Sequence, residues 1–329
     1  MPHITGMAFL DFNQDGAQDP DEPGVAGVTV QATDAAGAVT KVQTGQDGSY
    51  TLETDVAVRL EFLDLPADIR PGRVTGDSGA TVRFVDGSTA PTDVNLSLSV
   101  PLLAATQFNY DSAIDGANTA APAVVAIPYG VADTPTPVVL ATMGDVGTTW
   151  GLAYQASSDS LFTSAFLKRH AGFGPGANGN PTSGGIWRID RATGDITLLV
   201  DLNTAGTGFS AGADPHPTTP ESEGGDWFHD AATFGLVGKR GLGGLALSAD
   251  GRTLYTINLN TRQLIEIPLN ADGTRNDADP IRGTTIPLTN PAGSGITNFN
   301  ANDLRPFAVS VGPDGTVYVG VTYTAETSG

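Results

Sequence analysis

The chain has 329 residues, with 36 acidic against 16 basic side chains and a formal net charge of −20. Lysine occurs only at 41, 168 and 239, so the clustered cations that neutralise nucleic-acid phosphates are missing and nucleic-acid binding is excluded. There is no cysteine, which removes disulfide staples and thiolate zinc sites. No apolar run reaches the roughly 20 residues of a membrane span, so no membrane insertion is expected of this chain.

The apolar stretches are short, rich in Val, Thr, Ile, Leu and aromatic residues, and bounded by Asp-Gly, Pro-Asp-Gly and Thr-Gly turn signals. That texture predicts an all-β fold. The first residues enter a strand-like segment at once, with neither a charged n-region nor an apolar h-region. The expectation is an exported protein whose signal segment is not part of this chain. Strands are expected at residues 3–12, 27–33, 38–44, 49–54, 56–62, 80–85 and 93–98, separated by turns such as Gln46-Asp47-Gly48. Seven short strands in one stretch imply a small β-sandwich, and residues 1–98 are assigned to it as the first domain.

Inside that domain, residues 11–22 satisfy the twelve-residue calcium pattern at every specified position. Asp11, Asn13 and Asp15 would supply oxygens at positions 1, 3 and 5, and Gly16 permits the sharp turn at position 6. Ala17 need offer only its backbone carbonyl, Asp19 falls at position 9, and Glu22 at position 12 has two oxygens to give. Calcium takes six to eight hard oxygen ligands, which is the reason to gather carboxylates and amides in one turn. A solvated acidic turn is the competing explanation. Pro20 and the strand-like flanks argue against a helix–loop–helix, leaving an EF-hand-like loop on a β scaffold.

The run Gly6-Met7-Ala8-Phe9-Leu10-Asp11-Phe12-Asn13-Gln14-Asp15-Gly16, followed by Asp19 and Asp21-Glu22-Pro23-Gly24-Val25, resembles the B-type repeat domain of serine-aspartate-repeat surface adhesins, the SdrD B-like family. Thr44, Asp47-Gly48-Ser49-Tyr50 and Leu52 resemble that family's second recurrent stretch. The resemblance covers residues 3–98. It implies an immunoglobulin-like sandwich that binds calcium through the first loop, in cell-wall or secreted proteins. Related collagen-adhesin domains carry a Lys–Asn isopeptide bond with the lysine on the first strand. Here Lys41 is the only lysine of the domain, and no such bond is expected.

Residues 99–329 form the second expected domain. Residues 151–162, 244–255 and 307–318 are three copies of one pattern: strand, Asp-centred turn, strand. The first two copies are followed by a further β segment, Gly185–Asp190 and residues 263–269. Such spacing is how β-propeller blades read in sequence. The third copy runs only to its second strand, so the domain is expected to be part of a longer protein. Residues 147–154, 166–172 and 185–187 are similar to propeller-like regions that follow B domains in exported bacterial proteins, which implies architecture and location rather than activity.

Two motif matches are decoys. Gly76-Asp77-Ser78-Gly79 spells a serine-protease nucleophile, but only His3 precedes it and it lies within the sandwich. Gly174-Pro175-Gly176-Ala177-Asn178-Gly179 satisfies the dinucleotide fingerprint without a helix behind it. Lys168-Arg169-His170 and Lys239-Arg240 either meet an acidic ligand or glycan or pair with neighbouring carboxylates. Residues 221–230 combine carboxylates, Trp227, Phe228 and His229, as a second ligand site or as an insert with its two aromatic rings buried. Trp150 and Trp187 are expected to pack between blades. The expected function is a calcium-stabilised surface protein, adhesive or structural and not an enzyme, with an extracellular protein or glycan as partner. A secreted glycan hydrolase or lyase and an S-layer or sheath component are the alternatives.

Overall fold

The computed structural model describes residues 3–12, 15–20, 22–54, 56–67, 69–72, 78–86, 92–129, 137–204, 207–290 and 292–327. The chain is all-β apart from single helical turns such as Met143–Val146 and Ala231–Phe234. It divides into two compact units, Met1–Leu103 with Ala126–Val138, and Ala104–Val125 with Val139–Gly329.

Among the described residues up to Ser99 the strands are β1 (His3–Leu10), β2 (Thr29–Asp34), β3 (Val39–Gln43), β4 (Ser49–Glu53), β5 (Ala57–Leu63), β6 (Arg70–Pro71), β7 (Val82–Asp86), β8 (Thr92–Asp93) and β9 (Leu96–Ser99). One sheet runs β4-β1-β9-β6 with β8 also on β1, and the other runs β3-β2-β5-β7. Alternation sends one set of side chains inward from each sheet. Ile4, Ala8 and Leu10 with Tyr50, Leu52, Leu96 and Leu98 from one sheet meet Val30, Ala32, Val58, Leu60 and Phe62 from the other. This is an immunoglobulin-like β-sandwich.

Two local devices lock its recurrent stretch in place. Buried Thr44 donates its hydroxyl to the Val25 carbonyl at 2.6 Å and accepts the Val28 N–H at 3.0 Å. Tyr50 donates to the Val94 carbonyl at 2.8 Å and packs edge-on to Phe62. The Asp47-Gly48 turn lies so close to Gly24 that a Cβ on Gly24 would stand 1.9 Å from the Asp47 carbonyl oxygen. Gly48 itself, at φ +78, would place a Cβ 2.2 Å from the Ala8 oxygen, so only glycine fits there.

Strand limits depart from expectation where side chains capture backbone groups. The segment expected as one strand at 93–98 splits into β8 and β9. Val94 sits between them with its N–H on the Thr5 carbonyl, while Asn95 accepts the Met7 N–H at 2.9 Å through its side chain. β1 ends at Leu10 rather than at 12, because the Phe12 N–H turns to the Glu22 carboxylate. Gly76 and Asp77 of the protease-like motif lie outside the described residues, and the Ser78 carbonyl accepts the Ser97 N–H.

Beyond β9, strands β10 (Leu102–Thr106), β11 (Pro122–Pro128) and β12 (Val138–Thr142) form a three-stranded sheet in that order. The second unit then builds successive antiparallel meanders. β13 (Thr149–Gln155), β14 (Ser160–Ala165), β15 (Gly185–Asp190) and β16 (Ile196–Asp201) make one four-stranded sheet. β17 (Leu242–Leu247), β18 (Thr253–Asn258), β19 (Gln263–Pro268) and β20 (Arg282–Thr285) make a second, and β21 (Leu304–Val311) with β22 (Val317–Tyr323) a third of two strands. Four-stranded meanders in series are propeller blades. The first strands follow one another, β13 against β17 and β17 against β21. Glycines make that approach possible: a Cβ on Gly151 would meet the Gly243 oxygen at 2.9 Å, and one on Gly243 the Phe307 oxygen at 2.3 Å.

The sequence repeat has a matching irregularity. Each first strand carries a register shift near its start, between Thr149 and Leu152, between Leu242 and Leu245, and between Pro306 and Ala308. A bulge of this kind re-aims the side chain at the extra residue.

Candidate calcium loop

The loop leaves β1 and returns to the core at Val25. Its two ends carry buried carboxylates: Asp11 is 2% and Glu22 4% exposed. A carboxylate removed from water needs charge-assisted partners. Glu22 obtains them at both oxygens, accepting the Phe12 N–H at 2.6 Å and the Asp19 N–H at 3.0 Å. Asp11 accepts the Gly16 N–H at 3.0 Å, and Gly16 takes the left-handed turn at φ +82. Gln18 donates to the Glu22 carbonyl. The loop is therefore curled around its first and last acidic residues, with backbone N–H groups supplying the positive ends of dipoles.

Of the residues singled out in the sequence, Asp11 and Glu22 are inside, Asp19 is half-buried, and Asp15 and Ala17 are exposed. Asp15 accepts the Ala17 N–H at 2.8 Å. Asn13 lies outside the described residues. Among the described residues no three acidic or histidine side chains are gathered closely enough to hold a metal ion. The donor set is nonetheless entirely hard oxygen, which suits calcium and not a thiophilic metal. Asp11, Asp15, Asp19, Glu22 and the Ala17 carbonyl would hold the ion, and exchanging backbone N–H partners for it is the adjustment the loop requires.

The second unit brings together residues that sequence reasoning left apart. Trp187 is buried as expected, but Trp150 is 47% exposed. It sits at the β13 bulge, 5.7 Å from Phe166 and 5.6 Å from Phe307 by ring centroids. Phe108 joins at 6.4 Å from Phe166, and the Lys168 ammonium stands 4.2 Å above the Phe108 ring. Of the two expected partners, an acidic ligand or a neighbouring carboxylate, Lys168 shows neither here and instead meets an aromatic face. Arg169 likewise bonds the His229 carbonyl and lies over Phe234. Lys239 does pair with an acid, Glu326, at 2.7 Å.

In residues 221–230, Trp227 is buried and Phe228 is 71% exposed, so only one of the two rings serves packing. Trp227 donates its indole N–H to the Thr219 carbonyl at 2.7 Å, while Glu221 accepts the N–H groups of Trp227 and Phe228. The hydrogen bond from His229 holds the Asp226 carboxyl below the usual carboxylate range. Trp227 stacks on His216, a residue to which the sequence assigned no role. Its one sequence signal is Asp214 two positions earlier.

Among curated proteins the chain is similar to several colossins of Dictyostelium discoideum. It is 27% identical to Colossin-A over 94% of this chain and 3% of that protein, and 25% identical to Colossin-B over 83% and 7%. It therefore spans only a small fraction of those two relatives' lengths. Among solved structures, a luciferin-regenerating enzyme aligns at 11% identity over 91% of this chain and 71% of its own, with a TM-score of 0.34. One family model matches: residues 3–79 fit the SdrD B-like domain, the segment that carries the Asp11–Glu22 loop.

Proposed function

We propose that the chain is a calcium-stabilised part of an extracellular or cell-surface protein with an adhesive or structural role. In this reading the sandwich is a stiff spacer and the propeller-like unit offers a binding face. The observation that carries it is the pair of buried carboxylates, Asp11 and Glu22, at the two ends of one oxygen-rich loop. That loop lies within the residues matching the SdrD B-like domain. Supporting the binding face are the exposed Trp150 and Phe108, joined through Phe166 and Phe307 into one aromatic patch. A patch of this composition fits an extracellular protein or glycan, and no catalytic role is assigned to it.

The loop's contribution is a linkage effect. A ligand that binds only the folded state stabilises it by about 2.7 kcal/mol at a hundredfold excess over its dissociation constant. Melting the full chain with calcium and again with chelator tests this. The sandwich transition rises with calcium and falls on chelation; identical midpoints in both conditions would sink the proposal.

A further inference from the structure

The connection from β16 to β17 is a long insert, and His216 is one of its anchors, beside the Glu221 N–H on Asp111 and the His170 N–H on Asp230. The imidazole has no exposed surface. Its Nδ1 is 2.6 Å from Asp214 Oδ1, and its Nε2 is 3.0 Å from the Lys168 carbonyl oxygen. Both of those partners are acceptors. A neutral imidazole carries one N–H and would leave a lone pair facing one of them, whereas the imidazolium donates to both. A second carboxylate, that of the buried Asp230, comes to 3.7 Å of Nε2. The ring also stacks on Trp227 at 5.0 Å between centroids, nearly parallel, and meets the edge of Phe173 at 5.5 Å.

We propose that His216 is a protonation latch: as an imidazolium it clasps the insert around residues 213–234 to the turn after β14, and on losing a proton it lets that insert go. The clasp closes one side of a cleft of about 380 Å³, lined in part by Asp115, Phe173, Asp214, His216 and Trp227. The latch therefore governs access to a concave site next to it.

Two carboxylates beside the ring, Asp214 and Asp230, favour the cation. Asp214 is on its own segment, Asp230 on the following helical turn, and Asp115 lines the same cleft from the segment before β11. Neighbouring cations are engaged elsewhere: the Lys168 ammonium lies over Phe108, Arg169 bonds the His229 carbonyl, and Arg240 bonds the Ala213 carbonyl at 2.8 Å. His170 directs Nδ1 to the Trp227 carbonyl. Burial by itself pulls the His216 proton affinity down, but the Asp214 hydrogen bond and charge, the Lys168 carbonyl and the Asp230 charge outweigh it, and the net direction is up from 6.5. A group raised in the folded state contributes its full stabilisation below its unfolded value. The latch is thus fully engaged below pH 6.5 and is lost as pH climbs through the higher folded value.

The test is nitrogen-detected NMR of the histidine rings in the full chain, paired with hydrogen exchange of residues 213–234 corrected for intrinsic rates. At a pH of about 6 one ring, assigned as the signal lost in His216→Gln, shows both nitrogens protonated. Protection of residues 213–234 falls roughly tenfold per pH unit above that ring's titration point, while β14 and β15 are unchanged. Asp214→Asn moves the fall to lower pH. A His216 ring with one proton at that pH, or protection of 213–234 that ignores its titration, overturns the proposal. The same ring is also assigned in the unaltered protein by through-bond correlation to its own backbone, so the test survives a variant that fails to fold.

Discussion

Glu22→Gln separates what the loop does without a metal from what it does with one. Glu22 is 4% exposed and its two oxygens accept the Phe12 and Asp19 N–H groups at 2.6 and 3.0 Å. Glutamine keeps one acceptor and turns an NH2 toward the other donor. Hydrogen bonds to charged groups contribute about 1.5–3 kcal/mol, so the variant loses about 2 kcal/mol in chelator. With calcium at a hundredfold excess, the native loop gains about 2.7 kcal/mol more and the variant gains little. The gap between the two proteins therefore widens to about 5 kcal/mol, the sum of those two terms. Hydrogen exchange of the slowest amides in β1, β4 and β9 measures it: calcium slows the native protein roughly a hundredfold and leaves Glu22→Gln nearly unmoved. A gap of equal size in calcium and in chelator would refute the reasoning, because Glu22 would then be a backbone anchor and nothing more.

Two further outcomes follow from the second unit. Gly243→Ala places a Cβ 2.3 Å from the Phe307 carbonyl oxygen, a backbone atom that cannot swing aside. Overpacking of this kind costs about 1–3 kcal/mol, a drop of roughly 2–12 °C in the unit's melting midpoint, whereas Gly244→Ala, with 3.2 Å to Val309 N, falls less. A Gly243→Ala midpoint equal to wild type would contradict the side-by-side packing of β17 and β21. For the aromatic patch, acrylamide quenches Trp150 and spares Trp187 and Trp227, each 2% exposed; Trp150→Phe removes the quenchable fraction, and a quenchable fraction that persists in it would contradict the exposure of that ring.

What was legible in the sequence was whatever alternation and turn chemistry dictate. Ser49–Glu53 reads as a strand and is one, with Tyr50 and Leu52 inward and the residues between them outward, because a period of two admits no other buried face. The Asp-Gly turns and the threefold repeat likewise marked the meanders. β6, two residues long, has no alternation to read, and its existence depends on β9. Trp150 was expected to pack between blades and does meet Phe307 of β21, but the bulge beside it leaves the ring 47% exposed. The loop's acidic spacing was legible, yet a carboxylate that binds a cation and one that collects backbone N–H groups are the same letter, and only the fold distinguishes the partners of Glu22. His216 was invisible for a related reason: its acceptor on Lys168 is 48 residues away.

Calorimetric titration of calcium into the chelator-stripped full chain tests the central claim most directly. The account predicts saturable uptake at or below about 1 mM, the range of extracellular calcium modules, with a site that disappears in Glu22→Gln. Uptake that is absent over that range, or that Glu22→Gln retains in full, would contradict it.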